Sequence, residues 1–319
     1  MSDEVINIVL ICDDKYAQHA AVTIVSVVKN TKRKVHFYVF DCGILPENLE
    51  RLKRLDVGSN VLEIVHVQKV DVFENYKYQR CYSPAIMYRL AIPEILPHLD
   101  KALYLDCDVI AVRDVGLIWD IDLSDKLLAG GDQTPFFPFK WLEMNHIRFG
   151  IPLNEPYLSS GALLMNLRKM RIFKFSEKCI EILKNNPWLP GDMEVLNKVL
   201  SDGHQILWWD IRCHFIEPLL IPKRLYHIQP ILVHFVSKPW RFREVFLKYL
   251  PGKAWNMEKQ YYKYLNFTPW YTQRNTYCHC GSFLLAILNW LVRRDLLNDA
   301  CWVKFKLKSF WRSARGIHL

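Results

Sequence analysis

Four short apolar runs, separated by helix-length segments, constrain this chain more than any other feature. They are Val5 to Cys12, Val35 to Phe40, Val61 to Val67 and Ala102 to Leu105. Each is brief, apolar and flanked by polar residues, as buried strands are. Between them, Ala17 to Lys29 has helical spacing, and so has the stretch after Pro46, a residue suited to a first helical turn. Pro84 to Leu90 also reads as helical. Strand, helix, strand at this spacing predicts an α/β fold: a Rossmann-like mixed, mostly parallel sheet with helices on both faces. Such sheets bind ligands beyond the carboxyl ends of their strands, and acids stand at two of those ends. Asp13-Asp14 follows the first run, and Asp106-Cys107-Asp108 follows the fourth. Two carboxylates at the end of a buried strand are costly to desolvate unless something positive meets them. If residue 107 leaves strand geometry, both can converge on one hard cation. The plainer reading is a pair of surface acids where a strand runs out.

Further along, Gly161 to Leu167 reads as a strand, Ile172 to Leu183 and Asp192 to Leu200 as helices, and Gln205 to Trp208 and Ile231 to Phe235 as short strands. Around Pro239 aromatic and basic residues rise and the alternation fades, which puts a boundary near residue 250. No Gly-x-Gly-x-x-Gly follows the first strand and no Gly-Lys-Ser/Thr loop is present, so dinucleotide dehydrogenases and P-loop enzymes lose ground. The nine cysteines are odd in number and lack Cys-x-x-Cys pairs, which predicts free thiols in a reducing cytosol. Cys278-His279-Cys280 has no second pair at finger spacing and is read as incidental. Met1-Ser2-Asp3-Glu4 and the strand-length run behind it do not read as a signal peptide.

The formal charge of +9 is uneven: from residue 271 onward eight Lys or Arg face two acids. Lys304, Lys306, Lys308, Arg312 and Arg315 lie among Trp302, Phe305, Phe310 and Trp311. Aliphatic and Trp side chains mixed with basic ones favour an anionic membrane surface over a nucleic-acid groove. Phe283 to Val292 is too short to span a bilayer. Residues 251–319 are therefore expected to form a helical, membrane-associating segment, with no nucleic-acid partner.

Six pieces of the chain, taken in order, resemble bacterial members of glycosyltransferase family 8. They are Asp13-Asp14-Lys15-Tyr16, Met87-Tyr88-Arg89-Leu90, Tyr104-Leu105-Asp106-Cys107-Asp108, Ser159-Ser160-Gly161-Ala162-Leu163-Leu164, Gly191-Asp192-Met193-Glu194-Val195-Leu196-Asn197, and His234-Phe235 with Lys238-Pro239-Trp240. The resemblance spans about residues 5–245 and implies a GT-A fold, with residues 1–250 as a nucleotide-sugar-binding catalytic domain. It implies a retaining, metal-dependent enzyme that moves galactose or glucose from a UDP-hexose to a glycan acceptor, lipopolysaccharide or otherwise lipid-linked, on the cytoplasmic face of the plasma membrane. By the same resemblance Asp106, Asp108 and His234 hold Mn²⁺ or Mg²⁺. Asp13 and Tyr16 meet the uridine, and Arg89, Cys107, Ser159, Asp192 and Lys238 serve the rest of the donor. Asp192 and Glu194 are the carboxylates nearest the chemistry. Asp192 is also placed to cap the helix behind it.

The departures are Lys15 and Ser159, each where many members carry Asn, and Met193 in place of a Gln near the reacting carbon; the late histidine motif is also short. A thioether cannot serve as a carbonyl nucleophile. Two other classes compete: a haloacid-dehalogenase-like phosphohydrolase, whose own D-x-D follows its first strand, and a decayed membrane-associated binding protein.

Overall fold

The computed structural model describes residues 4–76, 83–134, 227–236 and 253–273, with 143–216 apart from 145, 148, 149, 154, 188, 190, 202 and 203. Its strands are β1 (Ile6–Cys12), β2 (Val35–Asp41), β3 (Val61–His66), β4 (Lys101–Leu105), β5 (Val109–Ala111), β6 (Leu128–Asp132), β7 (Leu158–Asn166), β8 (Ile206–Trp208), β9 (Phe215–Ile216) and β10 (Leu232–His234). Seven of them form one sheet in the order β3-β2-β1-β4-β7-β6-β8, and the other three form a small sheet in the order β5-β10-β9. β3, β2, β1 and β4 run parallel. β7 is antiparallel between β4 and β6, and β6 runs parallel to β8. The sheet is thus mixed and mostly parallel, as the spacing predicts.

Alternation along β1 builds two cores, because successive side chains leave opposite faces. Ile6, Ile8 and Leu10 pack with Val22, Ile24 and Val25 of the helix Ala17–Asn30. Val9 and Ile11 pack on the other face with Met87, Leu90, Leu183 and Val195. The second face is covered by the 3-10 segment Pro84–Ala91 and the helices Phe175–Asn185 and Asp192–Val199.

Several expected elements differ in detail. Pro84 to Leu90 winds as a 3-10 helix, with Ser83 capping Ala85 N–H. The helix expected over Ile172 to Leu183 is two helices, Leu167–Ile172 and Phe175–Asn185, parted by Lys174 in the left-handed region at φ 56°. β7 begins at Leu158, earlier than the apolar run suggests. β6 escapes pattern reading because it is Leu-Ala-Gly-Gly-Asp, and glycine carries no strand signal. Gly131 is small for a packing reason: a Cβ there would stand 2.9 Å from Trp209 Nε1 and 3.2 Å from His214 Nδ1. The boundary expected near residue 250 lies outside the described residues. Beyond it, the helix Lys253–Leu265 lays Tyr261, Tyr262, Tyr264 and Leu265 in the same core as β1 and the first helix, joined by Trp270. Phe283 to Val292 and the basic segment Trp302 to Arg315 lie outside the described residues. Among the described residues no helix is long and apolar enough to cross a membrane.

Candidate active site

The site is built where β4 ends. The register Val9↔Tyr104 levels β1 with β4, so the acids after both strands reach the same edge of the sheet. Backbone pairing with β7 continues one step past the strand, Asp106 N–H donating to Gly161 O at 2.8 Å. The chain then turns, with Val109 N–H returning to Asp106 O at 3.0 Å. Inside that turn Cys107 points into the core: its thiol donates to Ile11 O at 3.2 Å, and its carbonyl accepts from Thr23 Oγ1 at 2.8 Å. Residue 107 does leave strand geometry, and Asp106 and Asp108 converge. His234 arrives from β10, which pairs with β5 so that His234 faces Val109. One ligand atom from each of Asp106, Asp108 and His234 lies within 4.8 Å of the others. His234 Nε2 is 3.2 Å from Asp108 Oδ1 and 3.8 Å from Asp106 Oδ2.

Burial raises the pKa of Asp106, and Arg89 opposes that rise. Burial also works against charge on His234, but Asp108 and Asp106 outweigh it and raise its pKa. Two carboxylate oxygens and an imidazole nitrogen are a donor set that suits Mn²⁺ or Mg²⁺. The wall beside them is shaped for this grouping. A Cβ on Gly161 would stand 2.4 Å from His234 Cε1 and 3.2 Å from Asp106 Oδ2, so only glycine leaves the ring its place. The residues present therefore fit a divalent cation.

Arg89 is the hub behind the carboxylates. It is buried, and its guanidinium pairs with Asp106 Oδ1 at 2.8 Å and Asp192 Oδ2 at 3.1 Å. It also donates to Ser160 O at 2.8 Å and Ile86 O at 2.9 Å, and lies over the Tyr104 ring at 4.7 Å. Burial opposes its charge, but the two acids more than compensate and hold its pKa above the usual arginine value. One of the carbonyls it uses, Ser160 O, comes from a bulge. Asp132 pairs with Leu158 but Gly130 pairs with Leu163, so the four residues Ser159 to Ala162 lie opposite Gly131 alone. A bulge re-aims backbone groups, here Ser160 O onto Arg89 and Gly161 O onto Asp106 N–H. The small-residue run Ser159-Ser160-Gly161 is what permits it, and Ser159 is buried within it.

Asp192 opens the helix Asp192–Val199, but the N-cap is Gly191, without a side-chain cap bond. The capping role expected of Asp192 is thus replaced by the ion pair to Arg89. Arg89 Nε–H is aligned on Ile86 O, so Asp192 Oδ2 keeps no aligned donor among the described residues. Glu194 is buried and accepts from Tyr157 at 3.5 Å. Met193 Sδ is met by Gln133 Nε2 at 2.9 Å, while Gln133 Oε1 is buried with no partner among the described residues. At the end of β1, Asp13 caps the turn Asp14–Tyr16 through Tyr16 N–H, and Tyr16 meets His19 edge-on at 5.4 Å. Asp14 is structural: it accepts from Leu45 N–H at 2.9 Å and Asn48 Nδ2 at 2.8 Å. Lys238 lies outside the described residues.

Three residues with clear roles escape the sequence reading. Gly161 is visible there only as a small residue. Asn197 donates to Leu158 O at 2.9 Å and accepts from Leu158 N–H at 2.8 Å, tying the Asp192 helix to β7. Its place in the Gly191 to Asn197 motif was the available signal. His214, which no motif singles out, lies against His234 with ring centroids 5.2 Å apart and planes at 16°.

The mixed sheet that delivers two acids and a histidine to one edge, with a buried arginine behind them, has the GT-A architecture. The chain belongs to glycosyl transferase family 8, whose model matches residues 7–244. It is 26% identical to General stress protein A of Bacillus subtilis over 78% of this chain and 94% of that protein. It is 24% identical to a lipopolysaccharide 1,2-glucosyltransferase of Escherichia coli over 63% of this chain and 60% of that one. Among solved structures the galactosyltransferase LgtC, in complex with donor and acceptor sugar analogs, superposes with a TM-score of 0.67 at 23% identity, covering 83% of this chain and 96% of that one. Family membership makes this chain a glycosyltransferase and sets aside the phosphohydrolase reading.

Proposed function

We propose that this glycosyltransferase moves a hexose from a UDP-sugar to a glycan acceptor, with Mn²⁺ or Mg²⁺ held by Asp106, Asp108 and His234. The observation that carries the reading is the convergence of those three ligand atoms within 4.8 Å at the carboxyl edge of the sheet. The cation, when bound, supplies Lewis-acid stabilisation of the diphosphate that departs.

The chain's own residues do the rest. Arg89 holds Asp106 and Asp192 in fixed relation, which prevents two buried carboxylates from turning away from the donor. Asp192 Oδ2, left without an aligned donor, is placed to accept from a hydroxyl of the donor sugar. Asp13 and Tyr16, level with the D-x-D turn, are assigned to the uridine. Lys238 is assigned to a phosphate oxygen as a point charge. Glu194 accepts from Tyr157 and Asp192 pairs with Arg89, so the two buried acids are held by different partners. Retention at the anomeric carbon is assigned from the family resemblance; Met193 offers no nucleophile, which leaves front-face attack guided by the leaving phosphate or assisted by Asp192 or Glu194.

The lipid-linked acceptor and the cytoplasmic membrane face are part of the proposal. The similarity to a lipopolysaccharide glucosyltransferase and the basic, aromatic tail support them. A panel of UDP-sugars tests the reading by following UDP release with Mn²⁺, with Mg²⁺ and in excess chelator, with and without acceptor glycans. Turnover that needs the cation and prefers one UDP-hexose is expected. Full activity in chelator, or equal use of GDP-sugars, would overturn it.

A further inference from the structure

We propose that His214 is a positioning residue for the cation ligand His234: it accepts the Nδ1 proton of His234 and so keeps the lone pair of Nε2 turned to Asp106 and Asp108. The proposal rests on the cation reading of the site and goes beyond it by assigning a residue outside the ligand set.

The geometry is direct. His214 Nε2 lies 3.1 Å from His234 Nδ1, and the rings stack. The far nitrogen of His234, Nε2, faces Asp108 at 3.2 Å and Asp106 at 3.8 Å. A neutral imidazole carries one proton on two nitrogens, so whatever bonds to one nitrogen decides what the other can do. Only one of the two facing nitrogens, His214 Nε2 and His234 Nδ1, can carry the shared proton. With the proton on His234, Nε2 is a ligand; with the proton on His214, Nε2 of a neutral His234 is a donor and cannot bind a cation.

The surroundings of His214 hold it in place for this contact. It is buried in the loop before β9, where Phe215 pairs with Val233, so its position is tied to the strand that carries His234. Gly131 backs onto Nδ1, and a Cβ there would come within 3.2 Å of it. His214 Nδ1 has no hydrogen-bond partner among the described residues, nor has Trp209 Nε1 beside the same glycine. His214 thus makes its one aligned hydrogen bond among the described residues to His234. An apolar ring would pack in that setting without an orphaned nitrogen, so what the histidine adds there is the bond to His234.

The test uses the full chain and Mn²⁺ alone, read by the electron-spin resonance of free Mn²⁺ and by calorimetry. His214→Phe keeps the stacked ring and deletes the acceptor; His214→Gln keeps an acceptor near Nε2. Mn²⁺ affinity is expected to fall roughly ten- to a hundredfold in His214→Phe and to recover substantially in His214→Gln. The second measurement needs no variant. Nitrogen-15 spectra of the Mg²⁺-loaded wild-type chain should show the His234 proton on Nδ1. Wild-type affinity in His214→Phe, or a His234 proton on Nε2 with Mg²⁺ bound, would overturn the role of His214 while leaving the cation site standing. A wild-type chain that binds no Mn²⁺ would instead overturn the cation reading, and this inference with it.

Discussion

At the scale of single residues the site is a balance of charges that each need the others. Asp106 is raised by burial and steadied by Arg89, and His234 is raised by Asp108 and Asp106 against its own burial. Replacing Asp106 or Asp108 by Asn removes an anionic ligand without changing shape. The expected loss is roughly a thousandfold in kcat/KM, about 4 kcal/mol of barrier, read by steady-state UDP release; a loss under tenfold would count against ligation. Protons compete with the cation for His234 Nε2. Because the pKa of that ring stands above the usual 6.5, Mn²⁺ affinity should climb as pH rises through the raised value and then level off. Calorimetric titrations between about pH 5 and 8 check this, and a flat profile would contradict it. Gly161→Ala would drive a methyl to within 2.4 Å of His234 Cε1. The ring must yield, so at least roughly tenfold weaker Mn²⁺ binding is expected, about 1.4 kcal/mol, with secondary structure unchanged by circular dichroism. The two acids were legible as candidates because they follow an apolar strand, whereas His234 was legible only through the family resemblance of its motif. Gly161 and His214 were not, since each acts through a neighbour distant in sequence: one by lacking a side chain, the other by touching a ligand twenty residues away.

At the scale of elements, β1, β2, β3, β4, β8 and β10 were found to within a residue of their observed ends. In β1, β2 and β4 burial on both faces leaves a continuous apolar run. β5, β6 and β9 were not found, because they are three, five and two residues long and their pairing is decided by neighbours. The break at Lys174 was also hidden, since nothing in a lysine announces a left-handed backbone. The contact that joins two elements at the site is Asn197, whose amide pairs with both backbone groups of Leu158. Asn197→Ala would strand a buried N–H and C=O at the start of β7. Each unpaired group costs about 1–3 kcal/mol, so a loss of about 2–6 kcal/mol is expected in urea unfolding. Because Asp192 rides on the same helix, the loosened latch should also weaken donor binding. A stability change below about 1 kcal/mol would mean that packing alone seats that helix.

At the scale of the whole molecule the question is what the last seventy or so residues do, and the answer divides. The helix Lys253–Leu265 is part of the core: Tyr261 OH meets His19 Nδ1 at 2.6 Å, and Tyr264 OH accepts from Asn30 Nδ2 at 2.7 Å. Tyr261 also packs edge-on against Phe235, one residue past His234, with centroids 6.0 Å apart. A chain ending at residue 250 would uncover the first helix and lose, among the described residues, five buried apolar side chains, Tyr262 and Trp270 among them. At about 2 kcal/mol each, that is on the order of 10 kcal/mol, comparable to the entire stability of a typical domain. Such a chain is expected to lack a cooperative thermal transition. The basic segment from Trp302 should behave differently, because its Lys and Arg residues suit a charged surface better than an interior. Five basic side chains at about 1 kcal/mol each hold a protein reversibly on anionic lipid, and the interleaved aromatics make that hold less sensitive to salt. Deleting residues 302–319 should leave the melting transition and UDP-sugar hydrolysis nearly unchanged while abolishing co-sedimentation with anionic vesicles. Rates on a lipid-linked acceptor presented in those vesicles should fall together with binding, whereas rates on a soluble acceptor should not. If the shortened chain still sediments, or melts well below the full chain, the tail is a packed element and the membrane role fails.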